Sequence, residues 1–196
     1  MLRQRRSLPY GTGNNLGDPF LTTKLTRPRL AITSTPKTEE TTNTWITPLS
    51  LIKALGEFDL DPCCPSTMPW HTAAVMNHWD NRPDDIDGLS MPWSGRIFLN
   101  PPYGEHTFKW MNRFAEYKRG IALIFARTDT IGFHDHVFSS ARAIFFLKGR
   151  VKFHRQDGSC PKNGPAAPSC LVVHTEDEVA AVLGSGLKGC LVRPCI

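Results

Sequence analysis

Arg96-Ile97-Phe98-Leu99-Asn100-Pro101-Pro102-Tyr103-Gly104 decides how the rest of the chain is read. Its first four residues make a compact apolar strand. Two consecutive prolines then remove two backbone donors and fix φ, so the ladder stops and the chain leaves in a rigid turn. Residues 106–119 place Phe108, Met111 and Ala115 on one side of an amphipathic helix that Gly120 closes. Ile121-Ala122-Leu123-Ile124-Phe125-Ala126 follows without a polar break, the pattern of a strand buried on both faces. Strand, helix, buried strand is the repeating unit of a parallel sheet.

The same alternation extends outward. Upstream, Thr47-Pro48 is expected to open a helix, the hydroxyl capping free amides and the proline fitting the first turn. Leu49, Ile52 and Leu55 keep helical spacing until Gly56, and Phe58-Asp59-Leu60-Asp61 reads as a short strand halted by Pro62. Downstream, residues 143–147, Val151-Lys152-Phe153 and residues 170–173 supply three more strands. Thr175-Glu176-Asp177-Glu178 is a capping box for a last helix ending at Gly184. The expected fold is an open α/β sheet, mostly parallel, with an antiparallel strand pair near the end. Residues 1–42, polar and without apolar period, are expected to be a disordered basic, Thr-rich arm, and residues 43–196 one domain.

The chain has 196 residues and a net charge of +5. No apolar run approaches the roughly 18 residues of a membrane span, and the basic start lacks the apolar stretch of a secretory signal. Six cysteines include no Cys-x-x-Cys pair, which argues against a zinc ribbon and for reduced thiols in a cytoplasmic protein. Charge is unevenly distributed: +4 over residues 1–42, −5 over 43–105 and +6 over 106–196. An acidic middle suits a cationic small molecule, and a basic second half suits a polyanion.

In an open α/β sheet, ligands sit beyond the carboxyl ends of the strands. Asp61-Pro62-Cys63 and Asn100-Pro101-Pro102-Tyr103 both fall there. The side-chain carbonyl of Asn100 and the main-chain carbonyl of Pro101 could accept both hydrogens of one planar NH₂ group. Held so, the nitrogen gains electron density as it turns tetrahedral, which favours attack on an electrophilic methyl. Tyr103 offers a flat face for an aromatic base.

Asn-Pro-Pro-Tyr after a strand resembles the catalytic motif of S-adenosylmethionine-dependent amino-methyltransferases. The ordered set Trp45-x-Thr47-Pro48, Phe58 to Cys63, Asp87-Gly88-Leu89, Trp93-x-Gly95-Arg96, Asn100 to Gly104 and Ala126 to Thr130 resembles, more closely, the phage-type DNA N-6-adenine methyltransferases. Leu147 to Arg150 and Asn163-Gly164-Pro165 extend the likeness, which covers about residues 43–173. It implies a compact Rossmann-like methyltransferase fold, S-adenosyl-L-methionine as cofactor and double-stranded DNA as partner. It also implies site residues. Thr47 and Pro48 match the segment flanking the cofactor's methionine part, and Asp61, with Pro62 after it, the acidic position at the end of the first strand. Asp87 matches a position beside the cofactor's adenine, and Asn100, Pro101, Pro102 and Tyr103 the grip on the target adenine. The turn after the first strand, Cys63-Cys64-Pro65-Ser66, departs from the glycine-rich form common in methyltransferases. Asp80, Asp84 and Asp85 are candidates for the cofactor's ribose ligand, although each reads more simply as a surface charge.

Arg127 and Asp129 follow the buried strand, either as DNA or base-pocket contacts or as a structural salt bridge. Lys148, Arg150, Lys152 and Arg155 form a basic turn and strand suited to phosphate. His134-Asp135-His136 reads as an ordinary helix surface, and no metal is expected. The reading is a monomer that methylates adenine N-6 in duplex DNA after flipping the base out. Alternatives are another amine acceptor (cytosine N-4, an RNA base, a protein amide) or a non-catalytic DNA-binding protein that kept the fold. Eleven basic against four acidic residues between Lys109 and Lys162 favour nucleic acid over protein.

Overall fold

The computed structural model describes residues 44–78, 87–104, 106–162, 165 and 167–195. The expected arm, Asp80, Asp84, Asp85 and Asn163-Gly164 lie outside the described residues.

One seven-stranded sheet organises the chain: β1 (Leu60–Cys64), β2 (Val75–His78), β3 (Ile97–Leu99), β4 (Gly120–Phe125), β5 (Ala143–Leu147), β6 (Ser169–Val173) and β7 (Gly189–Val192). Their order in space is β2-β1-β3-β4-β6-β5-β7. The pairings β1–β2, β1–β3 and β3–β4 are parallel, and β4–β6, β5–β6 and β5–β7 antiparallel. The sheet is thus parallel in its first half only. β6 slots between β4 and β5, so the antiparallel half runs from β4 to the edge strand β7 and is larger than the one pair expected.

Period-two alternation assigns side chains to two faces. Phe98, Ile121 and Leu123 point to a core that includes α1 (Leu49–Leu55) and α4 (Glu176–Gly184). Ile97, Leu99, Ala122 and Ile124 point to the opposite core, with Trp110, Met111 and Phe114 of α2 (Thr107–Tyr117), Phe133 of α3 (Ile131–Phe133) and Val137 of the π-helical turn His134–Phe138. Helices therefore cover both faces, which is why β3 and β4 can be wholly apolar.

Several local expectations are corrected. Thr47 does not cap α1: Pro48 is the N-cap residue, and its carbonyl accepts from Leu51 and Ile52. β1 starts and ends later than residues 58–61 and runs through Pro62. The proline has no ladder donor, and the β1–β2 register shifts between Asp61 and Cys64. Val151-Lys152-Phe153 is not a strand; only His154 pairs, in a bridge to Ile46. Phe153 instead turns into an aromatic cluster with Phe125 and Tyr103. The helix after the motif ends at Tyr117, with Lys118 in the left-handed conformation as its C-cap. The capping box behaves as expected, the Thr175 hydroxyl accepting from the Glu178 amide.

Arg96 fixes β3 against its surroundings. Its guanidinium forms a bidentate pair with buried Glu178 and donates to the Leu55 and Glu57 carbonyls, over the Phe58 ring. Asp59 accepts from the Arg96 amide at 2.6 Å, and a Cβ on Gly95 (φ +71) would lie 2.2 Å from the Asp59 carboxylate. Only glycine fits there.

Candidate active site

β1 pairs with β2 on one side and β3 on the other, and the chain reverses its direction of travel across the sheet between them. Register between β1 and β3 is confined to Leu60 and Ile97. Beyond that pair the two strands diverge, one into Asp61–Cys64 and the other into Asn100–Tyr103. A fork at the carboxyl ends, where the strand order reverses, is where α/β sheets bind ligands. A narrow cleft of about 50 Å³ occupies it. Its walls include Trp45, Thr47, Asp61, Cys63, Thr72, Phe98 and all four residues from Asn100 to Tyr103.

Asp61 is 3% exposed, and its carboxylate accepts from the Cys63 amide (3.2 Å) and the Thr72 hydroxyl (2.5 Å). Both carboxylate oxygens thus accept a hydrogen bond within the protein. The Thr47 hydroxyl is buried in the same cleft without a hydrogen-bond partner among the described residues. A buried, unmet hydroxyl costs free energy unless a ligand satisfies it. Its backbone is held in place, since the Trp70 indole donates to the Thr47 carbonyl at 2.9 Å.

The motif's carbonyls are sorted by their partners. The Asn100 main-chain carbonyl accepts from the Cys63 thiol (3.5 Å), and the Pro102 carbonyl from the Thr107 hydroxyl (2.9 Å). The Pro101 carbonyl between them has no partner among the described residues. The Asn100 side chain is oriented from both ends: Nδ2 donates to the Trp45 carbonyl (3.0 Å), which leaves Oδ1 as the outward acceptor. The Tyr103 hydroxyl donates to that Oδ1 at 3.2 Å and uses one of its two lone pairs. Burial pushes the Tyr103 phenol well above its ordinary range, so it stays a neutral donor. Its ring stacks on Phe125, centroids 4.0 Å apart and planes 16° from parallel, so one face is covered. Burial, followed by the nearby Asp61 charge, raises the Cys63 thiol, which keeps it protonated and able to donate.

Other expected site residues lie elsewhere. Pro62 is buried in β1 outside the cleft lining, and its carbonyl abuts Gly88, where a Cβ would fall 2.0 Å away. Asp87 is exposed; its carboxylate caps a turn by accepting from the Leu89 amide at 2.9 Å. Pro48 faces a second groove, together with Lys148, Arg150 and Lys152. Arg127 and Asp129 lie on the loop after β4, without a salt bridge between them. Among the described residues no cluster of His, Cys, Asp and Glu could hold a metal ion, and no helix is long and apolar enough to cross a membrane. His134 instead meets the Thr128 carbonyl at 3.0 Å.

Sequence reasoning missed Thr72, the aromatic support from Phe125 and Phe153, and the Trp45 carbonyl that orients Asn100. Phe125 ends the apolar run and Trp45 opens a motif, so both were visible as residues but not as partners. Nothing in sequence marks Thr72.

A family model described as DNA N-6-adenine-methyltransferase (Dam) matches residues 33–185. No curated protein and no solved structure matches the chain.

Proposed function

The chain belongs to the DNA N-6-adenine-methyltransferase family, and from that premise we propose that the cleft between β1 and β3 transfers a methyl group from S-adenosylmethionine to the exocyclic amine of adenine in duplex DNA. The observation that carries the reading is the pattern of satisfied carbonyls. The neighbours on either side, Asn100 and Pro102, are bonded within the protein. Asn100 and Pro101 line the cleft, and we assign the Pro101 carbonyl and the second lone pair of Asn100 Oδ1 as the two acceptors for one planar amine.

Thr47 and Asp61 would hold the cofactor. The fit rests on the unmet Thr47 hydroxyl and on a buried carboxylate suited to a ligand with cationic groups. When bound, S-adenosylmethionine supplies an electrophilic methyl carbon on a sulfonium. The protein's own work is positioning. Gripping both N–H bonds leaves the amine lone pair as the nitrogen's open direction, and the two acceptors strengthen their bonds as the nitrogen becomes tetrahedral. The surplus proton leaves after the new bond forms, so no side chain has to remove it beforehand.

An adenine paired in a duplex cannot reach this cleft, so it is extruded. Its ring stacks on the face of Tyr103 opposite Phe125. The Tyr103 hydroxyl yields part of Asn100 Oδ1 to the incoming amine.

The test is label transfer from methyl-labelled S-adenosylmethionine to duplex DNA, with an RNA duplex and a protein mixture as parallel acceptors. Incorporation into DNA alone is expected. Label in RNA or protein but not in DNA overturns the reading.

A further inference from the structure

Next to the cleft runs a second, open groove. Its rim carries Lys148, Arg150, Lys152 and Lys188, and its floor includes Leu51 and Val151. No carboxylate lines it, and none of the four cations has an acidic partner among the described residues. By contrast, Arg142 and Arg193, on another part of the surface, share the Glu176 carboxylate. Like charges gathered on one rim repel each other unless an anion joins them.

Two turns bring the rim together. β5 and β7 pair through Leu147 and Gly189, so the residues just beyond, Lys148 and Lys188, come side by side, with the Lys148 amide on the Lys188 carbonyl at 2.8 Å. Gly149 (φ +88) turns the chain, and the segment after it alternates. Val151 and Phe153 go inward, while Arg150 and Lys152 go outward. The segment then joins the cleft wall, since Ile46 and His154 exchange two backbone hydrogen bonds of 2.9 Å. Phe153 lies edge-on to Tyr103, 6.4 Å between centroids. Thr47 lines the cleft and its neighbour Pro48 the groove, so the two adjoin along this segment.

We infer that this groove seats the phosphate backbone of duplex DNA beside the target base, and that Lys188, on a C-terminal segment beyond the family match at residue 185, completes it. The inference rests on the reading of the chain as a DNA-modifying enzyme and adds the place where the duplex is gripped. The grip is sequence-independent, because the rim offers point charges and no planar donor–acceptor pattern for base edges except Arg150.

The experiment measures the salt dependence of binding to a fluorescent mixed-sequence DNA duplex for the full chain. Variants are Lys188→Ala, the quadruple Lys148→Ala/Arg150→Ala/Lys152→Ala/Lys188→Ala, and Arg119→Ala, an exposed cation before β4 at the end of the sheet opposite Leu147. Each phosphate that is no longer neutralised lowers the slope of log K against log salt by about 0.9. Lys188→Ala should therefore lower it by about one, the quadruple variant by about three or more, and Arg119→Ala not at all. On the unaltered protein, alkylation of Cys160, which lines the groove, should slow on adding duplex while exposed Cys195 reacts as before; peptide mass spectrometry reads both. Unchanged slopes together with an unprotected Cys160 overturn the groove. So does an RNA duplex that binds as tightly and is weakened equally by the same variants. Altered slopes in a protein that fails to methylate DNA would keep the groove and sink the enzymatic reading. Methylation with unchanged slopes would do the reverse.

Discussion

Asn100→Ala separates the chemistry of the motif from its architecture. The substitution deletes Oδ1, one of the two acceptors assigned to the target amine, and leaves the Pro101 carbonyl in place. An acceptor that strengthens in the transition state is worth about 3 kcal/mol, or roughly a hundredfold or more in turnover. It also deletes two structural hydrogen bonds, Nδ2 to the Trp45 carbonyl and the Tyr103 hydroxyl to Oδ1. At about 1 kcal/mol each, these lower the melting temperature by roughly 4–8 °C for a domain of this size. The two effects are separable. Single-turnover methylation reads the first, thermal denaturation the second, and calorimetry with S-adenosylmethionine checks the cleft, where affinity should fall by less than about tenfold since only the Trp45 wall loosens. Asn100→Asp sharpens the comparison. It keeps an acceptor toward the amine but sets a carboxylate oxygen against the Trp45 carbonyl, 3.0 Å from the present nitrogen. Its turnover should exceed that of Asn100→Ala, and its stability should not. Turnover within about threefold of wild type in a folded Asn100→Ala refutes the assignment, as does a loss of cofactor affinity that matches the loss of rate.

Four further outcomes follow from the same geometry. Asp61→Asn keeps the shape and removes the charge, and S-adenosylmethionine affinity by calorimetry should fall roughly 10–100-fold, the worth of a charged hydrogen bond; unchanged affinity contradicts the cofactor placement. Tyr103→Phe removes the hydroxyl that competes for Asn100 Oδ1 but keeps the stack on Phe125, so turnover stays within a few-fold, whereas Tyr103→Ala loses about 1–3 kcal/mol of base binding; equal damage in both would place the function in the hydroxyl. Arg96→Met strands Glu178, whose side chain is 6% exposed, without its cation, and should cost about 3–5 kcal/mol in denaturant unfolding; a loss below about 1 kcal/mol shows that the pair is not what fixes β3. Burial holds the His174 imidazole below its ordinary range, so the unfolded chain binds its proton first and stability should fall as pH drops below about 6.5. His174→Gln should flatten that fall in melting temperature between pH 8 and pH 5.5, and an identical fall in the variant excludes His174 as its source.

Legibility in the sequence followed how local each signal was. The strand–turn–helix around Asn100 and the buried run of β4 rest on neighbouring residues, and they were readable as such. The Thr175 capping box was readable for the same reason. What needed a distant partner was not. Arg96 is part of a recognisable motif, yet its role depends on Glu178, 82 residues away. Asp59 and Gly95 meet only because β1 and β3 are neighbours. Edge strands β2 and β7 escape a sequence reading because Val75 and much of β7 are exposed and show no buried run. The alternation around Lys152 predicts a strand; the alternation is real, but Phe153 is captured by Tyr103 and Phe125 instead of by a ladder partner. In the site, Asn100, Pro101, Tyr103, Thr47 and Asp61 were legible and do meet in one cleft. Asp87 and Pro62 belong to the motifs by position, and they meet each other's neighbourhood at Gly88 instead of in the cleft.

The most direct measurement is the identity of the methylated nucleoside. Purified protein is incubated with methyl-labelled S-adenosylmethionine and unmodified duplex DNA, the DNA is digested to nucleosides, and the labelled product is identified by mass spectrometry. The account predicts N6-methyldeoxyadenosine as the labelled nucleoside, with its yield reduced about a hundredfold in Asn100→Ala. N4-methyldeoxycytidine, or undiminished N6-methyldeoxyadenosine from Asn100→Ala, would contradict it.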